Sequence, residues 1–445
     1  MFVFYLFMNF ENFYNPKRIA VVGASREETK VGHIIFKNLL KSGKEVYPVN
    51  PNAESILNVP CKASLSSIKE KIDLVIICVK AQLIPDILEE MKKKKIKSAI
   101  IISSGFSEVG NKDLEKEVYD KIKKYNIRVI GPNCLGLINP YSKLNASFFD
   151  DTPKEGNIAL ISQSGALGVA MLDMIIEKGI GLSKFISIGN AMDISFDEII
   201  SSLNRDDKTK IITLYMESLK DGKKFMQAVS KAKKPVVVLK AGKSESGKKA
   251  ASSHTAALAT EDKIYDGAFK QCGVVRVETL RELFNISKMA ELKLKGNKCL
   301  IITNAGGPGV MASDCFEKNG LMLIKIKDKL INELNRVLPL GWSKNNPVDI
   351  IGDATPDRYE TTLKIVSKYK KDFDFIFLIL TPQAMTYPEK VAEVITKFKD
   401  IKIITCFMGG NKVKEAKKIL ENNKNINFEE PEDAAIIIKK AIAMK

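Results

Sequence analysis

Histidine is almost missing from this chain of 445 residues: it occurs twice, at His33 and His254. Whatever imidazole chemistry the chain performs therefore rests on one of two side chains. Cysteine is also scarce, with seven residues and no C-x-x-C spacing. That excludes a disulfide or zinc framework and leaves small core residues in a reducing cytosol, so no metal site is expected. Long hydrophobic runs are absent beyond the opening "MFVFYLFMNF", which lacks a basic flank and a cleavage site and is too short to cross a bilayer. Met8 serves as a start as well as Met1 does, and a cytoplasmic protein without a membrane partner is expected. Acidic residues are the minority, 53 against 70 basic ones, giving a formal net charge of +17. The excess is spread along helical stretches such as "EEMKKKKIKS" with no nucleic-acid motif, so it reads as solvated surface with some attraction for phosphates and no nucleic-acid partner.

What is present is a repeated device. "RIAVVGAS", "NIALISQSGALG" and "CLIITNAGGPGV" each join a short apolar strand to a turn of glycine, serine or asparagine and then to a helix. Further strand-like runs alternate with amphipathic segments, the pattern of parallel sheets covered by helices on both faces. Strands are predicted near Arg18–Gly23, Glu45–Val49, Leu74–Val79, Ala99–Ser103 and Arg128–Ile130, then near Asn157–Ser162, Lys184–Ile188, Ile211–Glu217, Pro235–Lys240 and Val274–Val277. A last set lies near Lys298–Thr303, Leu321–Ile326, Phe375–Leu380 and Lys402–Phe407. Roughly two to four domains suit this length, and three α/β domains in series account for the pattern, over residues 8–150, 151–295 and 296–445.

The first turn, "GASREETKVG", opens a helix, where free backbone amides and the helix dipole favour an anion. It is not G-x-G-x-x-G, and the second strand ends in "YPVNP" without the acidic residue that holds an adenine ribose, which disfavours NAD. Arg26 and Lys30 in the turn suit a ligand richer in phosphate, such as coenzyme A. The alternative is a glycine turn that only packs strand on helix.

The second turn places Ser164, Gly165 and Ala166 at a helix start, small enough to admit a phosphoryl group to the amides. "TLYMES" brings Glu217 to a strand end, and the next strand, "PVVVLKAG", leads into the loop that carries His254. A carboxylate bonded to one ring nitrogen fixes the tautomer and leaves the other free to attack. On its local string "ASSHTAALAT", His254 reads as a helix cap or a satisfied core residue; with Glu217 and the phosphate-type turn on the same rim, it reads as a nucleophile. His33 has no such setting and reads as structural.

The blocks "VVGASREETKVG", "YPVNP", "ISSGFSEVG", "GPNCLGLINP", "ISQSGALG", "SIGNAMDISFDEII", "ITLYMES", "KKAASSHT", "TNAGGPGVMASD" and "NPVDIIGDA" stand in the order found in the α subunits of ADP-forming acetyl-CoA synthetases, which the chain resembles from about Phe10 onward. Succinyl-CoA synthetase α subunits are more distantly similar. The resemblance implies a Rossmann-like CoA-binding domain followed by two flavodoxin-like domains. It also implies a reversible relay: acyl-CoA and phosphate give acyl phosphate and CoA, the phosphoryl group passes to His254 supported by Glu217, and phosphohistidine phosphorylates ADP. Ser164 and Gly165 match the helix start that holds the phosphoryl group, and Asn133 matches the block near the thioester. CoA would lie against Gly23, Ser25, Lys30, Asn50, Val79 and Lys80.

The chain departs from that family at Ala256 and Thr260, where glycine is usual, and at Lys80, where proline is. After "CLIITNAGGPG" only a third α/β unit follows, so the nucleotide step, with ADP or ATP and Mg, is expected on an ATP-grasp β subunit in an α2β2 assembly. Gly242 and Gly247 are the expected hinges of the His254 loop. A CoA-binding regulatory protein that lost the chemistry is the alternative, opposed by the joint presence of His254 and Glu217.

Overall fold

The computed structural model describes residues 10–247 and 261–444, in two compact units that divide between Leu283 and Phe284. His254, with Lys248, Lys249, Ala256 and Thr260 beside it, lies outside the described residues.

The first unit contains two large sheets. Apolar runs such as "IAVV" and "LVII" are buried on both faces, as expected of parallel strands sandwiched by helices. The strands Glu45–Val49, Arg18–Val22, Leu74–Ile77, Ser98–Ile101 and Arg128–Ile130 lie side by side in that order, all parallel. In chain order this is 2-1-3-4-5, and the topological switch falls between Arg18–Val22 and Leu74–Ile77.

The second sheet repeats the arrangement. Glu155–Ser162 is flanked by Leu182–Ser187 on one side and by Ile211–Met216, Val236–Lys240 and Val275–Val277 on the other. Its switch point is therefore between Ser162 and Met216. Two further strands, Gly136–Asn139 and Leu144–Ser147, form an antiparallel hairpin that extends this sheet beyond Leu182–Ser187. The sequence pattern did not single them out, although two short apolar runs around "NPYSK" are a hairpin signal. Asn38 on the helix Val31–Leu40 donates to the carbonyls of Ser147 (3.0 Å) and Phe149 (2.8 Å), so the hairpin of the second sheet is bonded to the first layer of helices. One hydrophobic cluster runs from Phe13, Ile19 and Ile76 through Leu137 and Leu144 to Ile161 and Leu214, which makes the two sheets a single packed body.

The second unit carries the third sheet, again in the order 2-1-3-4-5: Met322–Leu323, Lys298–Thr303, Phe375–Leu380, Ile403–Phe407 and Ile426–Phe428. The short strand Val348–Asp349 also pairs with Lys298–Thr303. It has its own core around Leu300, Tyr359, Ile376 and Phe407. Several observed strands stop a residue or two short of their expected C-terminal ends: Gly23, Val79, Ser103 and Glu217 lie just past them. In a doubly wound sheet those are the positions that face ligands.

Candidate functional site

The carboxyl ends of strands from both sheets of the first unit converge on a cavity of about 610 Å³. Val79 and Lys80 enter it from the end of Leu74–Ile77, Ser103 from Ser98–Ile101, Asn133 from Arg128–Ile130, and Gln163 to Ala166 from Glu155–Ser162. Gly189 and Asn190 complete it from the end of Leu182–Ser187.

The helix Gly165–Glu177 starts at this wall. Ser164 is its cap, with an extended backbone and a hydroxyl that accepts from the Leu167 amide at 3.3 Å. The first amides of a helix have no intrahelical acceptor and carry the positive end of its dipole, so an anion in the cavity would meet donors there. Gly168 lets the helix lie close to the sheet, because a Cβ at that position would stand 2.9 Å from the Phe185 ring.

Asn133 has a left-handed backbone (φ 57), and its amide donates to the Ser103 carbonyl at 2.9 Å. The turn opposite is pressed against it: a Cβ at Gly189, itself at φ 52, would come within 2.1 Å of the Pro132 carbonyl oxygen. The loop that follows is fixed by Asp193, whose carboxylate receives Arg128 (2.9 Å), Lys123 (2.6 Å) and the Val129 amide (2.9 Å).

Glu217 and His254 were the expected reactive pair. Glu217 sits one residue beyond Ile211–Met216, on the same rim as Ser164 but outside the described lining of the cavity. Gln163 holds it there: its Oε1 accepts from the Glu217 and Ser218 amides (2.8 and 3.0 Å), and its Nε2 donates to the Ser218 hydroxyl at 3.0 Å. The Tyr215 hydroxyl is pushed up to about 12, by burial and then by the Glu217 carboxylate to which it is bonded. On the neighbouring strand, burial pushes the Lys240 ammonium down to about 8, opposed by the Asp262 carboxylate and reinforced by Arg276. From Lys240 the chain continues through Gly242, in a left-handed conformation (φ 74), to Gly247, the last described residue before the segment that contains His254.

The expected coenzyme turn forms at the other switch point. Gly23 (φ 87) passes so close to the next strand end that a Cβ would meet the Cys78 carbonyl and Val79 at 2.8 Å. Asn50 donates to the Ala24 carbonyl at 2.8 Å, and His33, buried, bonds the Ser25 carbonyl through Nδ1 at 2.9 Å. Arg26 and Lys30 are exposed, Lys30 paired with Glu27 at 3.7 Å. Gly23, Ser25, Arg26, Lys30 and Asn50 lie outside the described lining, which Val31 joins from the helix that follows them. Sequence reasoning passed over Gln163, Asn190 and Ser103. The available signal was their position: each lies within three residues of a parallel strand's carboxyl end.

Three family models match in series: a CoA-binding domain over residues 17–140, a succinyl-CoA ligase-like flavodoxin domain over 155–290 and a ligase-CoA domain over 299–440. Among curated proteins, the α subunit of ADP-forming acetate–CoA ligase II from Pyrococcus furiosus is 41% identical, with 95% of each chain covered. ADP-forming acetate–CoA ligase I from Archaeoglobus fulgidus is also 41% identical over 95% of this chain, which spans 62% of that longer protein. A solved acetyl-coenzyme A synthetase 1 from Ca. Korarchaeum cryptofilum, in complex with phosphate and ADP, superposes with a TM-score of 0.92 at 34% identity, covering 98% of this chain and 97% of that one.

Proposed function

Because the chain belongs to the ADP-forming acetate–CoA ligase family, we propose that it is the α subunit of an ADP-forming acyl-CoA synthetase, with acetyl-CoA as its first candidate substrate. In this reading acyl-CoA and phosphate exchange in the cavity to give acyl phosphate and CoA, and the phosphoryl group then moves to His254, releasing the acid. Phosphohistidine finally phosphorylates ADP, regenerating the imidazole. The observation that carries the reading is the shared cavity: Val79 and Lys80, past a strand end of the first sheet, line it together with Asn133 and with Ser164, Gly165 and Ala166 of the second.

Roles follow from position. A CoA thiol entering past Gly23, Ser25, Asn50, Val79 and Lys80, with Arg26 and Lys30 available to its outer phosphates, would meet an acyl group near Asn133. The helix start at Ser164–Ala166 would hold the phosphoryl charge, which needs positioning and neutralisation more than covalent help. Glu217 would orient His254 through one ring nitrogen and stabilise its charge. The nucleotide step, with Mg, falls to an ATP-grasp β subunit in trans, in an α2β2 assembly in the cytoplasm. The Pyrococcus relative, 41% identical with 95% of each chain covered, is named as an α subunit, which supports a partner subunit.

The test is reconstitution with the β subunit and a panel of acyl-CoA thioesters. ATP formation from ADP that depends on phosphate, on thioester and on both chains is the expected result. Binding of CoA without turnover of any thioester would instead identify a regulatory protein, and binding of NAD in place of CoA would overturn the first-domain reading.

A further inference from the structure

Three turns from strand ends of both sheets are joined by one directed chain of hydrogen bonds. Glu108, in the turn after Ser98–Ile101, accepts through Oε1 from the amides of Gly105 (2.5 Å) and Phe106 (3.1 Å). Its Oε2 accepts from Asn190 Nδ2 at 2.7 Å. Asn190 Oδ1 in turn accepts from Asn133 Nδ2 at 3.3 Å. Asn190 and Asn133 line the cavity; Glu108 stands behind them.

A side-chain amide can sit either way round, and its neighbours decide which. A carboxylate only accepts, so Glu108 leaves Asn190 no choice but to offer its NH₂. The oxygen of Asn190 must then face Asn133, which must turn its own NH₂ away towards Asn190. Asn133 Oδ1 is left without a hydrogen-bond partner among the described residues, at the wall of the cavity.

The geometry points to Glu108 as a positioning residue that fixes the Asn133 amide in the orientation offering an acceptor to the substrate, such as the CoA thiol or the hydroxyl of monohydrogen phosphate. This deepens the function proposed above and rests on it for the ligand, but not for the relay itself. The loop carrying Asn190 is anchored independently, since Asp193 ties it to Arg128 and Val129.

The relay makes a signed prediction. In Glu108→Gln the side-chain oxygen keeps the two backbone amides and the new NH₂ faces Asn190, forcing that amide and then Asn133 to turn over. Adding Asn190→Asp restores the original polarity: the glutamine NH₂ donates to one aspartate oxygen, and the other accepts from Asn133 Nδ2. Both variants and the parent, each assembled with the β subunit, are compared by turnover and melting, and each full chain by the asparagine side-chain N–H resonances under selective ¹⁵N labelling.

The expected result is a loss of about tenfold to a hundredfold in kcat/KM for Glu108→Gln, with melting within about 2 °C of the parent, and substantial recovery in the double variant. The Asn133 resonances should shift in the single variant and return in the double one. Glu108→Gln at parental rate, or a double variant that melts like the parent yet is no better than the single one, would overturn the proposal. Unchanged resonances in Glu108→Gln would overturn the relay whatever the turnover; resonances that behave as expected in a parent without thioester turnover would leave the relay standing and sink the functional reading and the substrate role with it.

Discussion

At the scale of the residue, the most informative group besides the expected pair is Lys240. It is buried at the end of Val236–Lys240, with its ammonium over the Tyr265 ring at 4.5 Å. Burial holds it near 8 instead of 10.5. A lysine with a depressed native pKa binds fewer protons in the native state than in the unfolded one between those values. Stability should therefore rise with pH from about 8 to about 10.5, and the penalty is fully present below about 8. We predict that Lys240→Met is more stable than the parent at pH 7, by about 1–3 kcal/mol, and loses that rise. Chemical denaturation at several pH values measures it, and equal slopes in the two proteins would contradict it. Residue identity was only half legible in the sequence. Ser164 could be read because a serine before a glycine-led helix has a specific local job, whereas Gln163 acts on Glu217 from 54 positions away. No local pattern records that.

Elements were more legible, because strands buried on both faces announce themselves as unbroken apolar runs. Their ends were read too long where the apolar run continues into the turn, as at Cys78–Val79. The antiparallel hairpin was missed because its pairing with Leu182–Ser187 is a long-range choice. The Gly189 turn and the Asn133 turn make a close element contact in the site. Gly189→Ala must place a methyl group 2.1–2.3 Å from the backbone oxygens of Pro132 and Asn133 and hold φ at 52. A loss of about 2–3 kcal/mol is expected, with a fall in turnover as the turns separate. A melting temperature unchanged from the parent's would show that the turns yield freely. Glu217→Gln is the counterpart at an unstrained position: phosphorylation should slow while melting stays near the parental value, and an unchanged rate would make Glu217 structural only.

For the whole molecule, a single plan accounts for most of the chain: three sheets each built on a run of five parallel strands in the order 2-1-3-4-5, whose first strand leads through a small-residue turn into a helix. The repeat was visible in the sequence as three similar strings. What it could not reveal is that two of the sheets turn their carboxyl edges to one cavity, since that depends on the packing of the hairpin on the first helix layer. The central claim is that this arrangement serves a phosphoryl relay through His254. The most direct measurement supplies the chain and the proposed β subunit with acetyl-CoA and radiolabelled phosphate, without ADP, and maps the label. Acid-labile, base-stable label on the peptide carrying His254, absent from His254→Asn, is predicted. Label that persists in His254→Asn, or that maps to another residue, would contradict the account.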